Sequence, residues 1–237
     1  MLYIIGLGLD KGGISKTGLE AIKECKKVYL ENYTVDFPYS EKELEKIIKK
    51  KIISGDREFV ESNIIVKEAK KSKICLLVYG SPLTATTHIS IIEEAKKSKI
   101  KVQVIYNASV FDAIAETGLQ IYKFGKITSM PKWTKSFQPT SFMEIVKQNQ
   151  TIDSHSLILI DIGLELKDAM EELETSAKEH KIPLNNIILC SRLGTSDSKI
   201  LYKTSEGLKK LQVKKPYCII IPSRLHFLEQ EVLEKFI

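Results

Sequence analysis

Short apolar runs, rich in Ile, Val and Leu, alternate along this chain with amphipathic segments of helical spacing. The runs lie at 2–5, 28–30, 74–79, 102–105, 157–160, 187–190 and 217–221. Continuous apolar runs of this length are typical of strands that are buried on both faces. Two of the helical stripes are Leu44, Ile47, Ile48, Ile52 and Leu166, Ala169, Met170, Leu173, Ala177. Strand and helix patterns that alternate predict an α/β fold with mainly parallel sheets.

The length of 237 residues fits one large domain or two smaller ones, at about 150 residues per domain. Between residues 126 and 140 aliphatic side chains become sparse, and Pro131, Trp133 and Pro139 interrupt any period. We predict a linker there, which would separate an N-terminal α/β domain at 1–125 from a C-terminal α/β domain at 141–237. A cleft between two such domains is a common location for a small ligand.

Composition excludes several classes of protein. With 43% hydrophobic and 28% charged residues, the chain is neither intrinsically disordered nor collagen-like. The net charge of +6 comes almost entirely from lysine, because arginine occurs only at positions 57, 192 and 224. Proteins that read nucleic acid more often cluster arginine with aromatic residues, so we expect no direct nucleic-acid binding. We interpret the lysine runs as solvated helix faces, with a docking surface for an acidic macromolecule as the alternative.

The four cysteines, at positions 25, 75, 190 and 218, stand among apolar neighbours and contain no CxxC spacing. This pattern predicts buried free thiols and, as an inference, a cytoplasmic protein. The N-terminal apolar segment ends at Asp10 and predicts a strand rather than a signal peptide. No apolar run approaches the roughly 18 residues of a membrane helix, so we expect no membrane partner.

Gly6-Leu7-Gly8-Leu9 follows the first predicted strand. It is not a dinucleotide fingerprint, because position 11 is Lys where a third glycine is required. Two close glycines still allow a tight turn and a close approach of the backbone to a ligand. A ligand loop and a sharp strand exit both remain open for this motif.

The segment from Tyr79 to His88 follows the third of the apolar runs and is rich in small hydroxyl residues. Ligands of open α/β sheets bind at the carboxyl ends of strands, where such a loop would lie. Thr86 or Thr87 could cap the next helix, and His88 could act as a base. An isolated histidine near a helix start is more often a structural hydrogen-bonding residue, so both interpretations of His88 stay open.

Four further strand ends carry polar loops: Asn107-Ala108-Ser109-Val110, Asp161-Ile162, Ser191-Arg192-Leu193-Gly194 and Pro222-Ser223-Arg224-Leu225-His226. The chain shows no Ser/His/Asp order of a known triad, no zinc-ligand spacing and no carboxylate-rich metal loop. We therefore expect a bound cosubstrate to supply the chemistry, without a metal, and we assign no catalytic residue.

Taken in order, several of these segments resemble one family. They are the GLGL loop, Gly80-Ser81-Pro82-Leu83-Thr84-Ala85-Thr86-Thr87-His88, the segment 118–125 (GLQIYKFG) and the Pro-x-x-Leu-His segment near the C-terminus. The combination resembles the diphthine synthases, methyltransferases of diphthamide biosynthesis in the tetrapyrrole-methylase-like class. The resemblance spans essentially the whole chain. Its most specific parts are the ATTH and IYKFG segments. The length fits an archaeal-type member of the family.

The resemblance implies two α/β domains of the tetrapyrrole methylase type, a homodimer, and S-adenosylmethionine bound in a cleft between the domains. It implies methylation of the amino group of a 3-amino-3-carboxypropyl histidine on translation elongation factor 2. Carried over residue by residue, the cosubstrate site comprises Leu9, Ser81, Thr84, Ser109, Val110, Ile160, Leu193 and Tyr217.

The chain departs from the family pattern at several of these positions. Ser81 stands where the family usually has Asp, Leu193 replaces a smaller Ala, and Tyr217 replaces His. A serine hydroxyl is neutral, so any attraction between a carboxylate and the cationic cosubstrate is lost at position 81. The alternatives are a methylase of the same class with a tetrapyrrole or other small substrate, and a non-catalytic paralogue that binds S-adenosylmethionine.

Overall fold

The computed structural model describes residues 1–237 and divides them into two compact units, Met1–Asp112 and Ala113–Ile237. The strands are β1 (Leu2–Gly6), β2 (Lys27–Glu31), β3 (Ile52–Gly55), β4 (Ile74–Val78), β5 (Val102–Ile105), β6 (Thr128–Met130), β7 (Ser156–Ile160), β8 (Ile187–Ser191), β9 (Lys199–Lys203) and β10 (Tyr217–Ile221). The helices are α1 (Lys16–Glu24), α2 (Glu41–Ile48), α3 (Arg57–Glu61), α4 (Ile64–Ala69), α5 (Ile89–Lys97), α6 (Val110–Ala113), α7 (Ser141–Gln150), α8 (Leu166–His180), α9 (Ser205–Lys209) and α10 (Phe227–Leu233).

The sheet of the N-terminal unit has the strand order β3-β2-β4-β1-β5, and every pairing in it is parallel. Its central strands β1 and β4 are buried along their whole length. One face packs against α1 and α2, and the other packs against α3, α4 and α5. Burial on both faces explains why these strands are continuous apolar runs. The prediction of a parallel α/β unit is confirmed here.

The sheet of the C-terminal unit has the order β6-β7-β10-β8-β9, and only the β6–β7 pairing is parallel. The prediction of mainly parallel sheets was therefore wrong for this unit. Strand β10 runs antiparallel to both of its neighbours. A strand buried on both faces has the same apolar sequence in either direction, so the apolar pattern does not encode strand direction. The fold remains α/β, with helices α7, α8 and α9 packed around the second sheet.

Three strands were missed because they are short or lie at a sheet edge. Ile52 belongs to β3 and not to the preceding helix, since α2 ends at Ile48 and Lys49 adopts a left-handed conformation with φ of 54°. Strand β6 lies inside the predicted linker 126–140, and strand β9 has partly exposed side chains. Tertiary pairing, rather than local pattern, forms such strands.

The division between the compact units, after Asp112, differs from the predicted domains 1–125 and 141–237. The apolar pattern is interrupted at Pro131, Trp133 and Pro139, but the division between the two compact units lies earlier in the chain. Met130 in this segment is fully buried in the C-terminal core, and β6 pairs with β7.

All four cysteines are buried and unbridged, as predicted. Each unit has an apolar core on its sheet, and the C-terminal core is centred on α7 and α8. None of the helices has both the length and the apolar character needed to cross a membrane.

Candidate functional site

The loops that follow β1 and β4 are joined by their backbones at one edge of the N-terminal sheet. The Gly8 N–H donates to the Gly80 carbonyl oxygen at 3.1 Å, and the Gly80 N–H donates to the Gly8 carbonyl oxygen at 3.0 Å. Both glycines have positive φ, 71° and 68°. This backbone conformation disfavours residues with a Cβ, which explains the glycine at both positions. The two glycine motifs of the sequence are therefore one structural unit.

Gly6 sits at the most crowded point of this edge. A Cβ at Gly6 would lie 2.6 Å from the carbonyl oxygen of Gly80 and 3.0 Å from the Cβ of Asn107. Gly6 ends β1, Gly80 follows β4 and Asn107 follows β5. The absence of a side chain at Gly6 lets the three strand ends approach one another closely.

Asn107 ties the β5 loop to the β1 loop. Its Nδ2 donates to the carbonyl oxygens of Gly6, at 3.1 Å, and Gly13, at 2.8 Å. Its Oδ1 accepts from the N–H of Ala108 at 2.9 Å. Both side-chain donors and the acceptor are therefore used, which fixes the orientation of the amide.

The five predicted cosubstrate residues of the N-terminal unit all lie on these loops. Leu9 is buried, and its carbonyl oxygen accepts from the hydroxyl of Tyr79 at 3.0 Å. Ser81 is buried in the turn after β4, and its carbonyl oxygen accepts from the N–H of Thr84 at 3.2 Å.

Ser109 and Val110 follow β5 at the start of α6. Ser109 is buried, and its N–H and hydroxyl both donate to Oδ2 of Asp112, at 2.7 and 3.0 Å. Val110 is the first residue of α6 and is half-buried. The structure thus gathers the loops after β1, β4 and β5 at one sheet edge, where open α/β sheets bind ligands.

In the C-terminal unit, the predicted residues Ile160, Leu193 and Tyr217 also share one sheet edge. Ile160 ends β7, Leu193 follows β8, and Tyr217 begins the antiparallel strand β10, which lies between those two strands. Leu193 is buried between Arg192 and Gly194, which have φ of 51° and 76°. The buried Tyr217 donates its hydroxyl to the carbonyl oxygen of Leu164 at 3.1 Å.

His88 occupies a buried structural position at the start of α5. Its Nδ1 lies 3.1 Å from the carbonyl oxygen of Pro82. A carbonyl oxygen only accepts hydrogen bonds, so Nδ1 carries the proton in this contact. With its side chain only 1% exposed, His88 supports the turn that contains Ser81 and Thr84. The geometry favours the structural interpretation of His88 over the role of a base.

Glu229 on α10 connects the IYKFG segment with the C-terminal His226. Its carboxylate accepts from the N–H of His226 at 2.7 Å, from the N–H of Gln120 at 3.0 Å and from Nζ of Lys123 at 2.5 Å. Burial by itself would raise the pKa of this carboxyl, but these hydrogen bonds and that of His155 lower it to about 2. Glu229 is therefore a buried carboxylate whose negative charge is fully supported.

The other partner of Glu229 is His155, whose Nε2 lies 3.3 Å from Oε1 of Glu229. The Nδ1 of His155 accepts from the N–H of Ser223 at 3.0 Å, so Nε2 carries the proton. Desolvation lowers the pKa of His155, although Glu229 acts against the shift. The buried histidine is thus neutral near pH 7 and donates to the carboxylate.

Residues 1–209 match the family model described as Tetrapyrrole (Corrin/Porphyrin) Methylases. The chain belongs to this family. The methylase assignment agrees with an α/β protein whose strand-end loops are rich in glycine. Among the residues described, no group of three or more His, Cys, Asp or Glu side chains is arranged to hold a metal ion.

Curated relatives narrow the comparison within the methylases. A "Probable diphthine methyl ester synthase" of Arabidopsis thaliana is 35% identical, over 99% of this chain and 97% of that protein. A "Diphthine methyl ester synthase" of Candida glabrata is 47% identical, over 68% of this chain and 56% of that protein. The crystal structure of a "putative diphthine synthase from Entamoeba histolytica" superposes with a TM-score of 0.90 at 34% identity, covering 100% of this chain and 98% of that chain. The resemblance drawn from the sequence motifs is confirmed.

Sequence reasoning missed two features of the N-terminal sheet edge. The role of Gly6 as a point of contact between three strand ends depends on residues 74 to 101 positions away in the chain, so no local signal marks it. The second missed feature is Glu31, which is fully buried at the end of β2. The sequence does contain a sign of it, because a single carboxylate directly follows the apolar run 28–30.

Proposed function

We propose that this chain is a diphthine methyl ester synthase, which transfers methyl groups from S-adenosylmethionine to a modified histidine of translation elongation factor 2. The observation that carries the proposal is the 35% identity to the Arabidopsis protein along nearly the full length of both chains. The motifs specific to the resemblance, ATTH and IYKFG, have structural roles at His88 and around Lys123. A methylase with a tetrapyrrole substrate would not require either segment.

The N-terminal sheet edge brings together the loops that follow β1, β4 and β5. Gly80 has no side chain, so a ligand can approach the backbone of its loop closely. We propose that Leu9, Ser81, Thr84, Ser109 and Val110 bind the cosubstrate there. Ile160, Leu193 and Tyr217 are proposed as further contacts on the ground of the family resemblance.

The bound cosubstrate would supply an electrophilic methyl group on a sulfonium. The residues of this chain would orient it and exclude water, since displacement at a methyl group requires alignment more than acid–base catalysis. Backbone carbonyl oxygens at the strand ends, such as those of Leu9 and Ser81, carry partial negative charge that suits a cation. We assign no general base, because His88 is buried and its Nδ1 proton is bound to Pro82.

The names of the relatives include a methyl ester, which extends the expected product. The amino group of the 3-amino-3-carboxypropyl histidine is one nucleophile, and an ester requires that a carboxylate oxygen also be methylated. We propose both for this chain, acting as a cytoplasmic homodimer on the protein substrate. A carboxylate is a weak nucleophile, so orientation would matter more for ester formation than for attack by the amine.

Transfer of labelled methyl from S-adenosylmethionine to purified elongation factor 2 that carries the 3-amino-3-carboxypropyl histidine tests the proposal. Unmodified factor is the control. We expect label on the modified factor alone, with part of it released by mild alkali as expected for an ester. Measurable cosubstrate binding without any label would instead favour the non-catalytic paralogue, which the neutral Ser81 keeps as the second candidate.

A further inference from the structure

Four side chains of the N-terminal unit carry a buried polar atom without a hydrogen-bond partner. One of them, Tyr39, packs in the core on the face of α1 and α2. The other three are Glu31, at both carboxylate oxygens, Tyr33, at its hydroxyl, and His88, at Nε2. Glu31 is 0% exposed and His88 is 1% exposed. Buried polar groups are almost always paired with protein or water, so such a set indicates a polar site.

The three side chains belong to one region of the N-terminal unit. Strand β2 pairs with β4, and Leu30 lies opposite Leu77 in that ladder. Side chains alternate along a strand, which places Glu31 on the same face as Tyr29, the face covered by α3, α4 and α5. His88 begins α5, and its Nδ1 contacts the turn after β4.

Side-chain contacts connect this face to the turn. The guanidinium of Arg57, the first residue of α3, lies over the Tyr33 ring, with 5.3 Å between its Cζ and the ring centroid. Burial, with the charges of Glu31 and Glu61, raises the pKa of Tyr33 to about 12, although Arg57 acts against this shift. Glu61 in turn accepts from the hydroxyl of Thr87, next to His88, at 3.5 Å. The end of β2, the end of α3 and the turn before α5 therefore surround one polar region.

The donors and acceptors of the set are complementary to a water molecule. Because Nδ1 of His88 donates to the Pro82 carbonyl oxygen, Nε2 is the nitrogen of this ring that can accept a hydrogen bond, as can the side-chain oxygens of Glu31. The Tyr33 hydroxyl can donate. One water can donate a hydrogen to Glu31 and the other to Nε2 while it accepts from Tyr33, which is the bonding typical of buried water.

We propose that Glu31 is a positioning residue that acts, through a buried water shared with Tyr33 and His88, to hold the turn containing Ser81 and Thr84. His88 transmits the constraint, because its Nδ1 and the Thr86 hydroxyl both donate to the Pro82 carbonyl oxygen at 3.1 Å. The link from this turn to cosubstrate affinity rests on the proposed function, whereas the link from Glu31 to the turn does not.

Three substitutions separate the parts of this network. Glu31→Gln keeps the shape of the side chain and removes its charge. His88→Asn keeps an amide donor near the Nδ1 position and removes the acceptor at Nε2, while Tyr33→Phe removes only the hydroxyl. Glu58→Gln, an exposed carboxylate on α3 in the same unit, is the matched control.

The first readout is amide hydrogen exchange of the purified chain without ligand. We expect exchange roughly tenfold faster within residues 80–88 for Glu31→Gln and His88→Asn, with the rest of the unit unchanged, since the first variant weakens and the second removes an acceptor of the shared water. Faster exchange spread evenly over the unit would mean that Glu31 contributes only general stability and would overturn the proposal. Tyr33→Phe tests the same localisation if Glu31→Gln does not fold.

The second readout is the Kd of S-adenosylmethionine by calorimetry, together with KM and kcat for methyl transfer. We expect Kd and KM to rise about tenfold for Glu31→Gln and His88→Asn, with kcat at saturation within about twofold of the wild type. Equal Kd for wild type and both variants would overturn the proposal. A wild-type chain that binds no S-adenosylmethionine would defeat the proposed function, while the exchange data would still decide the role of Glu31.

Discussion

The side-chain amide of Asn107 donates a hydrogen bond at 2.8 Å to the carbonyl oxygen of Gly13, which lies 94 residues earlier in the chain. The same Nδ2 reaches Gly6. One side chain thus determines where the loop after β1 lies relative to the loop after β5. Leu9 belongs to the first loop, and Ser109 and Val110 belong to the second.

We expect Asn107→Asp to lower the free energy of unfolding by about 2–3 kcal/mol and to weaken S-adenosylmethionine binding. The carboxylate removes two donated hydrogen bonds and places negative charge against two carbonyl oxygens. Urea unfolding and calorimetric binding measure the two effects. Asn63→Asp is the control, because Asn63 is exposed and makes no side-chain cap hydrogen bond. Equal losses in the two variants would show that the geometry at Asn107 is irrelevant.

Gly6→Ala should weaken binding of the cosubstrate, although the substitution adds only one methyl group. The new Cβ would meet the Gly80 carbonyl oxygen at 2.6 Å, so β1 and β4 must move apart at their carboxyl ends, at a cost of about 1–3 kcal/mol. Gly12→Ala provides the comparison, since its Cβ would have no neighbour closer than 3.9 Å. Thermal unfolding and the Kd of the cosubstrate should change for Gly6→Ala alone.

Much of the N-terminal unit could be predicted because its strands are buried on both faces and keep long apolar runs. The same property concealed the direction of β10, since Tyr217–Ile221 is equally apolar in a parallel or an antiparallel sheet. Strand β6 was taken for part of a linker because three residues, Thr128–Met130, are too few to establish a period. Ser81 and Ser109 are predicted site residues on the ground of the family resemblance, and the structure places both after strand ends; their contact with the cosubstrate stays a prediction. Glu31 was not predicted, because its burial depends on helices packed from elsewhere in the chain.

Ser81→Asp should tighten S-adenosylmethionine binding by about tenfold, because hydrogen bonds and contacts with a charged partner are about twice as strong as neutral ones. The substitution introduces the residue that the family resemblance implies for this position. Ser81→Asn is the control, since it adds similar volume without charge. Calorimetry at moderate salt measures the affinities. If the Asp and Asn variants bind equally, the carboxylate does not face the cationic cosubstrate in this chain.

Glu229 and His155 should make the C-terminal unit sensitive to acid. Both pKa values are lower in the folded chain than in the unfolded one, where they are about 4.3 and 6.5. The unfolded state therefore binds more protons, and stability falls as the pH falls. The contribution of His155 declines below pH ~6.5, and that of Glu229 declines from pH ~4.3 towards its folded pKa of about 2.

Glu229→Gln should cost about 3 kcal/mol at pH 7, because Lys123 and two backbone N–H groups lose a charged acceptor. It should also flatten the dependence of stability on pH below ~4.3, because the carboxylate that becomes protonated there is removed. Denaturant unfolding at a series of pH values measures both effects. Glu231→Gln, an exposed neighbour on α10, should leave the profile unchanged. If the stability of Glu229→Gln falls below pH ~4.3 as steeply as that of the wild type, the low pKa assigned to Glu229 is wrong.

The central place of β10 in the second sheet has a consequence during protein synthesis. Strands β7 and β8 emerge from the ribosome well before β10, yet β10 is the strand that lies between them. The parallel sheet of Met1–Asp112 contains only strands made before that point and is able to form while translation continues. The sheet of the C-terminal unit cannot be completed until residues 217–221 are released. Until then, β7 and β8 each have an unpaired edge where β10 will pair. We therefore expect nascent chains stalled before β10 to expose this unit to chaperones.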